Sequence, residues 1–170
     1  RVVIERFYDE QEDPERVHFF FHTLIGRSAN DALSRIISHR LKEAVGGNAL
    51  VTIDDYGFLL SLKAFQDIEA EAWKELFQPE GAADSLNAAL QGSQLVKWQF
   101  SGVAQTGLMV PRNLPGKERQ LRQIRWSADI LFKVLEEHEP NHPLLEQAYR
   151  EAKHTFLDLD RTIEFLKSAN

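Results

Sequence analysis

Near residue 63 the spacing of apolar side chains changes period, and this change limits the possible architectures more than any single motif does. Upstream, apolar residues come in short β-rich runs broken by turn residues; downstream they recur at helical spacing. RVVIERFYD and ERVHFFFHTL flank the acidic linker EQEDP and read as two strands joined by a surface loop. NALVTIDDYGFLLSL supplies two further short runs around Asp55-Tyr56-Gly57, a hairpin signal. Between these pairs, GRSANDALSRIISHRLKEAVGG predicts a helix. Ser28 and Asp31 stand at capping-box spacing, and Gly46–Gly47 supply the stop. Leu33, Ile36, Ile37, Leu41 and Ala44 share one side of that helix, with Arg35, His39 and Lys42 opposite.

Beyond residue 63, DIEAEAWKELF, ADSLNAALQ and SQLVKWQFSGVAQTG carry helical periodicity, and LMVPRNLPGK interrupts it with two prolines and a glycine. Two longer helices follow, one over residues 118–138 and one through PLLEQAYREAKHTFLDLDRTIEFLKSA. The order β-β-α-β-β and then helices defines an α+β class: a small antiparallel sheet followed by a helical bundle. No repeat, low-complexity tract or flexible linker divides the chain. The expectation is a single domain, residues 1–170, with a strand-rich half over 1–62 and a helical half over 63–170.

At 170 residues and 43% hydrophobic, the chain can bury one ordinary core. No apolar run approaches the roughly 18 residues of a membrane span, so a membrane is not expected as partner and the cytosol is the default compartment. Cysteine is absent, which removes disulfides, thiolate metal sites and cysteine nucleophiles. The first residues already read as a strand and lack a starting methionine, which suggests an excised piece or a processed product.

The formal charge of −6 is unevenly spread. Residues 91–133 carry Lys97, Arg112, Lys117, Arg119, Arg122, Arg125 and Lys133 against Glu118 and Asp129, a net +5. Residues 22–42 carry Arg27, Arg35, Arg40 and Lys42 against Asp31, a net +3, and the remainder holds −14. Two basic stretches are set in an acidic body; charge alone favours ordinary solvated helix faces over a binding site.

Several patterns that could carry chemistry lack the geometry for it. HEPNH at 138–142 matches the letters of the zinc-protease motif, which needs both histidines on one face of an unbroken helix. Pro140 interrupts it. One helix should end near His138 and another start at Pro143, with Asn141 or His142 near the cap. No P-loop is present, since the one GK pair, Gly116–Lys117, is followed by Glu118. Asp54 and Asp55 are adjacent turn acids whose carboxylates diverge. Asp158 and Asp160, about 200° apart on a helix, cannot share an ion and read as solvated helix residues. His18 and His22 alternate with Phe19 and Phe21 on a strand with no third ligand nearby. No catalytic, metal or cofactor residue is assigned.

Helix 118–138 is more informative. Leu121, Ile124, Ala128, Leu131 and Leu135 form an apolar stripe, and Arg119, Arg122, Trp126, Asp129 and Lys133 gather on the other side. A tryptophan among cations either packs against a neighbouring helix or domain, or forms a surface where cations hold phosphates and the indole stacks on a base. On the second reading the nucleic-acid contacts are Arg119, Arg122, Trp126 and Lys133, with Arg112, Lys117 and Arg27 from the flanking basic segments. Lys97–Trp98 repeats the pairing less cleanly, and Trp98 is expected in the core.

RVVIERFYDE, HFFFHTLIGRSANDALSRIISHRL, VTIDDYGFLLSL, LVKWQFSGVAQTGLMV and HPLLEQAYREAKHTFLDLDRTIEFL, taken in this order, resemble the DEAD/H-associated domain of Lhr-type (large helicase-related) DExH-box helicases. The resemblance covers essentially the whole chain. Its specificity lies in that order and in the aromatic-strand, Gly-Arg, helix unit around Gly26 and Arg27. It implies a domain that follows two RecA-like motor domains and a winged helix and helps form the surface along which the tracking DNA strand passes. It further implies a bacterial or archaeal ATP-dependent 3′-to-5′ repair helicase as parent, with ATP and Mg bound in the upstream motor domains and single-stranded DNA or RNA as partner. The alternative function is a non-enzymatic docking module whose basic faces and Trp126 bind the motor domains or another protein.

Overall fold

The computed structural model describes residues 2–9, 13–46, 48–63, 68–111, 113–114, 117–118 and 120–169. Its chain forms two compact units, Arg1–Ala89 with Leu157–Asn170, and Leu90–Phe156. Helical residues after 63 thus fall into both units, so the compact units cut across the change of period.

The first unit holds the strand-rich pattern. Strands β1 (Val3–Asp9), β2 (Asp13–His22), β3 (Leu50–Ile53) and β4 (Gly57–Lys63) form one antiparallel sheet in the order β1-β2-β4-β3. Residues opposite one another in a ladder share a face, so the pairs Val17↔Leu62, Phe19↔Leu60 and Phe21↔Phe58 place six buried side chains on one side. Helix α1 (Arg27–Val45) packs against β3 and β4, and α2 (Ala70–Leu76) brings Trp73 edge-on to Phe19 and Phe21 at 5.0 and 5.1 Å. Each such aromatic, fully withdrawn from water, contributes about 2–3 kcal/mol. This is the α+β, β-β-α-β-β arrangement expected from the sequence.

Leu33, Ile36, Ile37 and Leu41 of α1 are buried as the periodicity predicts, whereas Ala44 is exposed. The capping-box expectation fails. The helix begins at Arg27 with Gly26 as its cap, no side chain closes the first turn, and Asp31 instead accepts a hydrogen bond from Arg35 Nε at 2.7 Å. Gly26 has φ +86°, a region that side-chain-bearing residues rarely enter, so the chain turns into the helix on backbone freedom and Ser28 is already inside the first turn. One turn on, fully buried Asn30 donates through Nδ2 to the carbonyls of Asp54 (2.8 Å) and Asp55 (3.2 Å) and accepts from Thr23 Oγ1. A single amide thereby fastens the β3–β4 turn and the β2–α1 connection to α1. At the chain's far end α7 (Leu159–Ala169) lies on α1, with Thr162 Oγ1 donating to the Ala29 carbonyl at 3.1 Å.

Helix α3 (Ala82–Leu90) leads to the second unit, which comprises α4 (Gln94–Thr106), a minimal antiparallel pair β5 (Asn113–Leu114) and β6 (Lys117–Glu118), α5 (Leu121–His138), α6 (Pro143–Glu151) and a π-helical turn, Ala152–Phe156. Its core is Val96, Phe100, Val103, Ile124, Ala128, Phe132, Leu145 and Ala148, with Phe100 edge-on to Phe132 at 5.5 Å. Glu136 of α5 accepts from the Tyr149 hydroxyl (3.0 Å) and the Gly92 amide (3.2 Å). Burial, and then the neighbouring carboxylate, push the Tyr149 hydroxyl well above its usual pKa.

Two helix boundaries differ from the expectation. The helix expected from residue 118 starts at Leu121, because Lys117 and Glu118 pair with Leu114 and Asn113. The last helix, expected to run unbroken from residue 143, is divided into α6 and α7. The backbone first widens into the π turn and then reverses at Asp158, where φ is +36°. Asp158 is consequently the residue before α7, its carboxylate accepting from the Arg161 amide at 3.3 Å, while Asp160 is an exposed helix residue.

Candidate nucleic-acid interface

Helix α5 presents two unlike faces. Ile124, Ala128 and Leu135 are buried and Leu131 is half-buried, as the apolar stripe requires. Phe132, absent from that stripe, is also fully buried, and Leu121, in the first turn, is 68% exposed. Opposite this core, Arg122, Trp126, Asp129 and Lys133 are all exposed, together with Arg125 on the flank. Trp126 is 67% exposed. It is therefore not buried against any of the described helices.

The first turn of α5 contains no acid, and positive charge there adds to the positive end of the helix dipole. Among the described residues, neither Arg122 nor Arg125 forms an ion pair. Leu121, Arg122, Gln123, Arg125, Trp126 and Asp129 line an open concavity of about 550 Å³. Uncompensated guanidinium groups beside a solvent-facing indole can hold an anion and stack on a flat ring at once.

The other candidates are distributed differently. Arg27 is exposed at the first residue of α1, in the unit that does not contain α5. Lys117 lies in β6, but its side chain, like Arg112 and Arg119 altogether, is outside the described residues. Of the seven, Arg122, Trp126 and Lys133 are exposed along α5, and Arg122 and Trp126 line the same concavity.

Trp98 reverses the expectation of a core position: it is 54% exposed, touching Phe156 edge-on with ring centres 5.4 Å apart. The buried tryptophan is Trp73, 5% exposed. A signal for this was present in the sequence. Val96, Phe100 and Val103 define the inward stripe of α4, and Trp98 stands opposite it. Hydrophobicity alone favours burial of Trp98, whereas its helical phase turns it outward. Arg125 lies on the flank between the two faces of α5, so grouping by face does not single it out.

His138 ends α5, and His142 caps α6, its Nδ1 accepting from the Leu144 amide at 3.2 Å, so HEPNH is an interhelical turn. Elemental analysis of the purified chain is expected to find no stoichiometric zinc; one zinc per chain that His138→Ala and His142→Ala abolish is the contrary result. His18 Nδ1 is 2.9 Å from Ser61 Oγ with its ring stacked on Phe7, and His22 Nε2 lies 3.1 Å from the Glu5 carboxylate. Asp54 and Asp55 are exposed turn residues.

The chain thus combines a four-stranded antiparallel sheet backed by helices with a helical unit whose α5 bears a basic, aromatic face. The chain belongs to the DEAD/H-associated family, whose model matches residues 1–170. It is 34% identical over 158 residues to the ATP-dependent helicase Lhr-Core protein 2 of Thermococcus barophilus, covering 93% of this chain and 18% of that protein. It is 28% identical over 167 residues to the ATP-dependent helicase Lhr-Core of Methanocaldococcus jannaschii, covering 98% and 19% respectively. The structure of Mycobacterium smegmatis helicase Lhr bound to ssDNA and AMP-PNP superposes with a TM-score of 0.81 at 26% identity, over 99% of this chain and 21% of that one. The chain is thus similar to a domain of Lhr-type helicases and spans about a fifth of the length of these relatives.

Proposed function

We propose that this chain is the strand-engaging accessory domain of an ATP-dependent Lhr-type DNA repair helicase. The observation that carries the reading is the α5 face, where Trp126 projects into solvent between Arg122 and Lys133 on the side opposite the core. That the similar Mycobacterium smegmatis helicase was solved bound to ssDNA supports the choice of ligand. On this reading the cations hold phosphates and Trp126 stacks on a base, and ATP and Mg act in RecA-like motor domains elsewhere in a cytosolic parent. The domain contributes grip, and the 3′-to-5′ motor contributes work.

The 170-residue chain should bind single-stranded DNA weakly, with log affinity falling against log salt by about 0.7 for each neutralised phosphate. Trp126→Ala should cost roughly 1–3 kcal/mol of binding, and Arg122→Ala should lower the salt slope by about 0.7. Anisotropy titration of a labelled oligonucleotide measures both, and thermal melting confirms that each variant is folded. A folded Trp126→Ala variant with unchanged affinity and salt slope would remove the reading.

A second reading, docking against another protein or domain, is favoured by one observation. Ile130 and Val134 are exposed beside Trp126 along α5, forming an apolar strip of the kind seen at contacts. Ile130→Ser with Val134→Ser should leave strand binding intact if the strand reading holds, and should release a protein partner if docking is the role.

A further inference from the structure

We propose that the groove between α4 and α5 is a second base-stacking position, so that a single strand held on α5 continues past Arg125 onto Trp98. The proposal rests on the strand-binding reading of α5 and deepens it, adding two residues and a direction across the surface. Trp98, Gly102 and Gln105 of α4 line a concavity of about 220 Å³ with Leu121 and Arg125 of α5. Leu121 and Arg125 also line the concavity that holds Trp126, so the two hollows form one surface.

The chemistry along this surface repeats. An exposed indole stands at each end, Trp98 on α4 and Trp126 on α5, with Arg125 and Arg122 between them. Trp98 is held from one side by its edge contact with Phe156, which orients the ring while leaving more than half of it to solvent. One turn further along α4, Gly102 leaves open space, with nothing within 4 Å of the position a Cβ would take. An aromatic side chain held edge-on by Phe156 beside an unfilled gap suits a flat ring entering from solvent. The intervening guanidinium groups suit the phosphates joining two stacked bases, and every base offers a π-face, so the preference is for single-stranded nucleic acid of any sequence.

The test uses the 170-residue chain with labelled oligothymidylate of about ten nucleotides, able to reach both indoles, and of about three, able to reach one. Trp98→Ala should weaken the longer oligomer about 5- to 100-fold and the shorter one by no more than about twofold. Photocrosslinking of the wild-type chain with 5-iododeoxyuridine-substituted oligomer should label both Trp98 and Trp126. If Trp126→Ala loses binding while Trp98→Ala binds the longer oligomer like wild type, the second position is wrong and the α5 reading stands. If neither substitution matters, both fall. Should Trp98→Ala melt early through loss of the Phe156 contact, the wild-type crosslinks decide: label at Trp126 without Trp98 overturns the proposal.

Discussion

Gly57→Ala is expected to destabilise the first unit by about 3 kcal/mol or more, read as a lower urea midpoint. Gly57 opens β4 opposite His22, and a Cβ there would lie 2.0 Å from the Phe21 carbonyl oxygen and 3.1 Å from its carbon. The obstacle is backbone, not a side chain that can turn away. Phe21 belongs to the β2–β4 ladder, and its own ring stacks on Phe58 at 4.5 Å in the centre of the core. Relief therefore requires parting the two central strands or tilting the β3–β4 turn, which Asn30 and the Tyr56 carbonyl hold in place. Gly102→Ala supplies the control. It lies within α4 with open space at its Cβ, and should stabilise by about 0.5–1 kcal/mol through helix propensity and reduced freedom of the unfolded chain. A Gly57→Ala midpoint equal to wild type would show that the strands separate at little cost.

Arg40→Ala should cost about 2–3 kcal/mol, and Arg40→Lys should recover less than half of it. The guanidinium on α1 donates from Nη1 to the carbonyls of Leu76 (2.8 Å) and Gln78 (2.6 Å), from Nη2 to that of Glu80 (2.7 Å), and from Nε to Ser85 Oγ (3.1 Å). These carbonyls lie at the end of α2 and in the connection to α3, where no helix or sheet supplies donors. Partial burial lowers the Arg40 pKa from its ordinary value and the Glu80 charge partly restores it, so the group stays protonated and its donors stay charged. A lysine ammonium cannot span three carbonyls and a hydroxyl from one fixed plane. The magnitude is held to the lower range because two of the carbonyls are open to water. Urea unfolding of both variants within 0.5 kcal/mol of wild type would show that water replaces the clamp without loss.

Sequence alone determined the elements whose causes are local. Turn residues at 54–57 marked the β3–β4 hairpin, Gly46 stopped α1, and Pro140 with Pro143 separated α5 from α6, because each acts through its own backbone. Period determined that Trp126 stands opposite the buried stripe of α5. Tertiary structure decided what depends on distant partners. The strand order β1-β2-β4-β3, burial of Trp73 rather than Trp98, exposure of Leu121 and the break at Asp158 all depend on which surfaces meet. Periodicity states which side chains share a face of a helix; whether that face is covered is set by other elements, and for Trp98 and Trp126 the described elements leave more than half of the side chain to solvent.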